Sequence, residues 1–74
     1  MTVKKEMELL LALGKQIKKA RLAKGVSQKE LSYTCAIEKS TLSKIENGKI
    51  NISYFTLARL SQCLEVNMKD LVAD

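Results

Sequence analysis

The stretch that decides the fold runs from Ser27 to Gly48, SQKELSYTCAIEKSTLSKIENG, and predicts two short helices joined by a tight turn. Ser27-Gln28-Lys29-Glu30 has the pattern of a capping box, in which serine accepts from the third amide and glutamate reaches back. Asn47-Gly48 ends the second helix because glycine adopts the left-handed conformation at little cost. Two helices this short bury no core alone, so we expect them to hold a small basic helix outward, a shape that fits the major groove of DNA.

Further helices are predicted on both sides of this pair. Helix one is expected over about Glu6 to Lys24, where Gly25 stops it, with an inner face formed by Leu10, Leu13, Ile17 and Ala20. Gly14 should weaken that helix by roughly 1 kcal/mol. The remaining predicted helices are helix two over Gln28 to Thr34, helix three over Lys39 to Asn47, helix four after a Ser53 cap with Leu57, Leu60 and Leu64 inward, and a last short helix after Asn67.

The fold class is therefore all-α, with about five short helices in one domain over residues 1–74. Residues 1–8 are expected to form a flexible lead-in. Leu9, Leu10 and Leu11 are consecutive, so they cannot all face one core, and at least one must be exposed or meet a partner. No apolar run approaches the length of a membrane span, and no secretory signal is recognised.

The net charge of +5 is unevenly distributed, because no acidic residue lies between Glu8 and Glu30. A basic face of this kind fits a polyanion such as DNA, although alone it is equally typical of an ordinary solvated helix. The basic residues in this interval are Lys15, Lys18, Lys19, Arg21, Lys24 and Lys29.

The two cysteines, Cys35 and Cys63, are not spaced as metal ligands, and the chain has no histidine. We therefore expect no metal and no cofactor. Both cysteines lie where helices should pack and are expected to be small buried hydrophobes. A disulfide between them is the alternative, although a reducing cytosol disfavours it. The chain also shows no nucleophile–base constellation and no glycine-rich phosphate loop, so we expect no enzyme and no small-molecule ligand.

Four segments together resemble the phage-repressor and Cro type of helix-turn-helix, the xenobiotic-response-element family of bacterial regulators. They are LGKQIKKARLAKG, SQKEL, STLSKIENGK and TLARL, in that family's order and spacing, and the resemblance covers about Leu13 to Leu71. It implies a fold like that of lambda repressor, with helix three in the major groove of double-stranded DNA.

The resemblance also implies roles for individual residues. Base contacts are expected from Lys39, Ser40 and Lys44, and contacts to the DNA backbone from Gln28, Thr41, Ser43, Lys49 and Asn51. The chemistry agrees, because lysine donates to guanine O6 and N7 and serine donates or accepts. Glu38 replaces the usual Ser, Thr or Asn; it could favour the helix N-terminus, accept from a cytosine amine or repel a phosphate.

Arg21 and Glu46 are expected to form a buried ion pair that ties helix one to helix three, again by resemblance, with two solvated charges as the alternative.

Two positions depart from the family. Ala36 stands where its turn usually has glycine, which costs on the order of 1 kcal/mol if φ is positive there. Ile52 replaces a frequent proline.

Surplus apolar residues near helix four favour self-association. Tyr54, Phe55 and Leu71 are expected at a homodimer interface, although Tyr54 and Phe55 could instead cover the edge of the core.

The resulting hypothesis is a cytoplasmic homodimeric transcription regulator that reads an inverted repeat. Cro-like switches, restriction–modification controllers and antitoxins are all small proteins of this kind, and the leucines before helix one favour controllers. An antitoxin that mainly masks a partner is the alternative; no long wrapping tail follows Asp70.

Overall fold

The chain forms four α-helices and one short 3₁₀ helix in the computed structural model, which describes residues 3–72 and contains no strand in that range. The elements are α1 (Val3–Lys24), α2 (Gln28–Cys35), α3 (Lys39–Glu46), α4 (Tyr54–Leu64) and the 3₁₀ helix (Met68–Asp70). The predicted all-α fold with about five helical elements is therefore confirmed. Helices α2, α3 and α4 begin at the predicted residues, and Ser53 caps α4 by accepting from the Thr56 amide at 3.1 Å.

Helix α1 is longer than the sequence predicted. It begins at Val3 instead of near Glu6, so most of the expected lead-in over residues 1–8 is helical, while Met1 and Thr2 lie outside the described residues. The helix continues through Gly14 without interruption. Leu9 and Leu11 are exposed and Leu10 is half-buried, as three consecutive leucines on one helix require.

The core is mainly aliphatic and draws residues from all four α-helices and from Leu71, which follows the 3₁₀ helix. Its fully buried members are Ile17, Leu31, Leu42, Leu60 and Leu71. The prediction that Leu71 lies on the surface is therefore wrong, because its side chain is only 1% exposed. The 3₁₀ helix turns the chain back towards α1, and the Leu71 amide donates to the Met68 carbonyl at 3.0 Å, which directs the Leu71 side chain inward.

Two glycines allow α1 and the end of α3 to pack backbone against backbone. A Cβ on Gly14 would lie 2.5 Å from the carbonyl oxygens of both Ile45 and Glu46. A Cβ on Gly48, which has a φ of +69°, would lie 2.8 Å from the Leu11 backbone. Gly14 therefore does more than weaken a helix, since it brings α1 close enough to α3 to fix the position of the second helix of the pair.

The prediction of two free thiols is wrong in this structure, where Cys35 and Cys63 form a disulfide. Cys35 is the last residue of α2 and Cys63 lies in α4, and the packing of these helices places their Cα atoms 5.8 Å apart. That separation is typical of disulfides. A separation of 28 residues along the chain carries no information about this contact, which explains why the sequence did not predict it.

Candidate nucleic-acid interface

The start of α2 is fixed by the predicted capping box. The Glu30 amide donates to Ser27 Oγ at 3.0 Å, and the Ser27 amide donates to Glu30 Oε1 at 3.0 Å. The bond from the Ser27 amide and, after it, the Ser27 hydroxyl hold the pKa of the Glu30 carboxyl below its ordinary value, although that carboxyl is exposed. The box satisfies amides that a helix N-terminus otherwise leaves without partners, and so gives Gln28, the next residue, a defined position.

The turn between α2 and α3 has the strained conformation anticipated for Ala36. Its φ of 54° and ψ of 44° are left-handed, which costs a residue with a Cβ on the order of 1 kcal/mol. The Ile37 amide donates to the Ser32 carbonyl at 3.1 Å and closes the end of α2. Arg59 of α4 also donates, through Nη2, to the carbonyls of Cys35 and Ala36.

The inner face of α3 is held by the ion pair expected between Arg21 and Glu46. Arg21 Nε donates to Glu46 Oε2 at 2.8 Å and Nη2 donates to Oε1 at 3.1 Å, and the two residues are only 6% and 5% exposed. The remaining nitrogen, Nη1, donates to the Val26 carbonyl at 2.9 Å. Every terminal atom of the pair thus has a partner, which makes burial of the two charges tolerable.

Gln28 belongs to the same network, a role that the sequence did not predict. Its Nε2 donates to Glu46 Oε1 at 3.0 Å, so one carboxylate joins α1, the first residue of α2 and the last residue of α3. The predicted phosphate contact of Gln28 remains a prediction. The geometry is compatible with it, since the backbone amide at the start of α2 and the second amide hydrogen of the side chain are not used in the bond to Glu46.

The outer face of α3 carries the residues predicted to contact bases. Leu42, Ile45 and Glu46 are buried, whereas Lys39, Ser40 and Lys44 of the same helix are exposed. Glu38 occupies the N-cap position without a side-chain hydrogen bond to the helix and is exposed at the same end as Lys39. This arrangement presents both donors and an acceptor to a groove, so the helix can read more than one kind of base edge.

The residues predicted to contact the DNA backbone surround this face. Thr41 and Ser43 are half-buried in α3, while Lys49 and Asn51 are exposed in the segment that follows it. Asn51 Oδ1 accepts from the Ile52 amide at 2.9 Å, which fixes the side chain and leaves its amide nitrogen available as a donor. A half-buried hydroxyl beside an exposed lysine is suitable for phosphate contacts, which position a protein on DNA without reading sequence.

Residues 17–71 match the family described as Helix-turn-helix. The chain belongs to the helix-turn-helix family. The predicted class, a DNA-binding transcription regulator with this fold, is thereby confirmed. This chain is 33% identical over 63 residues to the control protein C.BamHI of Bacillus amyloliquefaciens, and the match covers 84% of this chain and 78% of that one. It is 29% identical over 68 residues to the control protein C.MunI of a Mycoplasma species, covering 90% and 92%.

Solved structures of this helix-turn-helix family agree with the fold. The restriction-modification controller protein C.AhdI from Aeromonas hydrophila superposes with a TM-score of 0.84 at 26% identity, covering 88% of this chain and 94% of that one. The hypothetical transcription factor NHTF from Neisseria also has a TM-score of 0.84 at 26% identity, with coverages of 92% and 78%. The predicted similarity to controller proteins is therefore confirmed by both sequence and structure.

The surface predicted for self-association is partly different from expectation. Tyr54 and Phe55 are 77% and 67% exposed, so they do not cover the edge of the core. Leu71 is buried and cannot contribute to an interface, whereas its neighbour Val72 is exposed. Beside them, α1 and α4 enclose an apolar groove of about 300 Å³, lined by Leu9, Leu10, Leu13, Asn51, Leu57 and Val72.

Three further features of the described chain complete the description of its surface and its groups. Tyr33 of α2 is the most exposed large hydrophobic residue at 87%. Within residues 3–72 no helix is long and apolar enough to cross a membrane. In the same range no group of three or more cysteine, aspartate or glutamate side chains is arranged to hold a metal ion.

Proposed function

We propose that this chain is a controller-type transcription regulator that binds an inverted repeat as a homodimer, with each α3 in a major groove. The observation that carries the proposal is the division of α3 into two faces. Its inner face is locked to α1 by Arg21 and Glu46, and its outer face presents Lys39 and Lys44 to solvent. A basic helix held rigidly outward has the shape and the donors needed to read guanine-containing base pairs.

The relatives favour a controller over an antitoxin, because three of the four proteins described above are named control or controller proteins. A regulator of this kind acts on DNA in the cytoplasm and requires neither a cofactor nor catalysis. The homodimer follows from the size of the readout. One α3 contacts only a few base pairs, too few to select one site in a genome, and two subunits on half-sites about 34 Å apart double the contact.

Replacing Lys39 or Lys44 with alanine should reduce affinity for specific DNA by roughly 1–3 kcal/mol and leave affinity for unrelated DNA nearly unchanged. The probes are a duplex selected from random sequences with the wild-type chain and a scrambled duplex of the same composition, both titrated at one salt concentration. Equal losses on both duplexes would show that these lysines contact only the DNA backbone.

The matched control for this experiment is Lys49→Ala, which removes the same charge from the segment after α3. As a phosphate contact, Lys49 should affect both duplexes alike and reduce the slope of log affinity against log salt by about one unit. An unchanged slope would remove Lys49 from the backbone contacts. Loss of discrimination in Lys49→Ala would mean that the base-reading surface lies elsewhere.

Replacing Phe55 with lysine should dissociate the dimer and leave the monomer helical. Phe55 is exposed at the start of α4, next to Tyr54, and a buried lysine there would carry an uncompensated charge across the two-fold axis. Sedimentation equilibrium of the wild type and Phe55→Lys measures this directly, and Tyr33→Lys, at another exposed aromatic residue, on α2, is the control. A wild type that is monomeric at micromolar concentration and on DNA contradicts the proposal, as does a Phe55→Lys variant that stays dimeric.

A further inference from the structure

Arg59 connects two parts of the molecule that the proposed function uses separately. It lies half-buried in the middle of α4, and its Nη2 donates to the carbonyl of Cys35 and, at 3.4 Å, to the carbonyl of Ala36. Those carbonyls belong to the last residue of α2 and to the left-handed residue of the turn before α3. One guanidinium group thus contacts the turn that sets the direction of α3.

The chemistry of these contacts indicates a stabilising role for the turn. The last carbonyls of a helix have no partners within it and carry the negative end of its dipole, so a cation there is favourable. Ala36 holds a positive φ without the freedom of glycine, and this strain persists only when the surroundings enforce it. Bonds from Arg59 to the carbonyls of Cys35 and Ala36, which lie on either side of the Ala36 Cα, satisfy that requirement.

The other side of the guanidinium faces the proposed dimer surface. Its Cζ lies 5.6 Å from the centre of the Phe55 ring, within the range of a cation–π contact, and Phe55 is mostly exposed. Phe55 and Arg59 are four residues apart in α4, so they share one face of that helix. Burial of the Phe55 ring by a second subunit would therefore also restrict the guanidinium that holds the turn.

We propose that Arg59 is a positioning residue for DNA recognition, which holds the turn in the conformation that aims α3 and links that turn to packing at Phe55. This inference rests on the proposed function for its link to DNA and to the dimer. The part that concerns the turn is independent of both, because it can be measured on the free protein. A direct contact between Arg59 and a DNA phosphate is the competing role that the test must separate.

The first measurement is amide hydrogen exchange on the free protein. The Ile37 amide, bonded to Ser32, should exchange roughly tenfold faster in Arg59→Gln, while the Gly25 amide, bonded to Arg21 at the end of α1, keeps the wild-type rate. Arg59→Lys should lie between, because lysine keeps the charge but not the planar fork. Phe55→Leu, which removes the ring and retains an apolar side chain, should also accelerate Ile37. Unchanged exchange at Ile37 in Arg59→Gln overturns the proposal whatever happens with DNA.

The second measurement titrates these folded variants against the selected and scrambled duplexes described above. Arg59→Gln should lower affinity for the selected duplex roughly tenfold with little change on the scrambled one and an unchanged salt slope. Arg59→Lys should recover part of this loss. Lys24→Gln, which removes a cation that pairs with Glu65 away from the turn, is the matched control and should keep the wild-type ratio of affinities for the two duplexes.

A salt slope reduced by about one unit, with equal losses on both duplexes, would make Arg59 a phosphate contact and overturn the proposal. Wild-type affinity of Arg59→Gln for the selected duplex would overturn it as well. A wild-type chain that does not distinguish the two duplexes would instead refute the proposed function, and the exchange rate of the Ile37 amide would still decide whether Arg59 holds the turn.

Discussion

Replacing Arg21 with alanine is expected to lower the free energy of unfolding by about 3–5 kcal/mol, more than any exposed charge substitution. The reason is the carboxylate that remains. Glu46 is 5% exposed and accepts both Nε and Nη2 of Arg21, so without the guanidinium it becomes a buried charge with only the Gln28 amide as a partner. The Val26 carbonyl also loses its donor.

Urea unfolding of Arg21→Ala, Glu46→Gln and the double variant forms the cycle that isolates this interaction. The double variant should be more stable than the sum of the two single losses predicts, because it no longer contains an unpaired buried charge. Lys24→Ala, which breaks the exposed ion pair with Glu65, is the control and should change stability by less than about 1 kcal/mol. A coupling energy of zero between Arg21 and Glu46 would contradict the described contact.

Replacing Gly14 with alanine is expected to destabilise the protein by about 3 kcal/mol, opposite in sign to the effect of this substitution in an exposed helix. The added methyl would lie 2.5 Å from two main-chain carbonyl oxygens at the end of α3, and backbone atoms cannot rotate away as a side chain can. Relief requires α1 to separate from α3, which also strains the bond between Arg21 and Glu46.

Thermal and urea unfolding measure the stability of Gly14→Ala, and Ala23→Gly is the reference variant with which that change in stability is compared. Ala23 is exposed in the same helix, so its replacement reports helix propensity alone, a loss of about 1 kcal/mol. A Gly14→Ala variant as stable as the wild type or more stable would show that α1 and α3 are not in close contact. If the free energy of unfolding falls while its slope against urea concentration is unchanged, the clash destabilises the folded state.

The parts of the fold that the sequence predicted are those set by local chemistry. The capping box at Ser27, the left-handed Gly48 and the Ser53 cap each depend on residues within one turn of chain, so their patterns are legible in one sequence. The ion pair of Arg21 and Glu46 spans 25 residues and was available only through the resemblance to the family. The exposed residues Lys39, Ser40 and Lys44 of α3 were likewise predicted through that resemblance.

The errors concern contacts between distant segments. The sequence predicts Leu71 at a dimer interface as surplus apolar surface near α4, but the chain after the 3₁₀ helix places its side chain in the core. The sequence predicts that Gly14 weakens α1. The structure shows that a glycine is needed there because α3 lies too close for a Cβ. The pairing of Cys35 with Cys63 and the contact of Arg59 with the turn both depend on how α4 packs on α2, which no local pattern encodes.

The central claim is that α3 reads base edges in the major groove from two subunits of a dimer. Methylation protection with dimethyl sulfate tests it most directly, because this reagent attacks guanine N7 in the major groove and adenine N3 in the minor groove. On the selected duplex the wild type should protect guanine N7 in two clusters about 34 Å apart, and Lys39→Ala with Lys44→Ala should abolish that protection. Protection of adenine N3 alone, or of guanine N7 that survives both substitutions, would contradict the account.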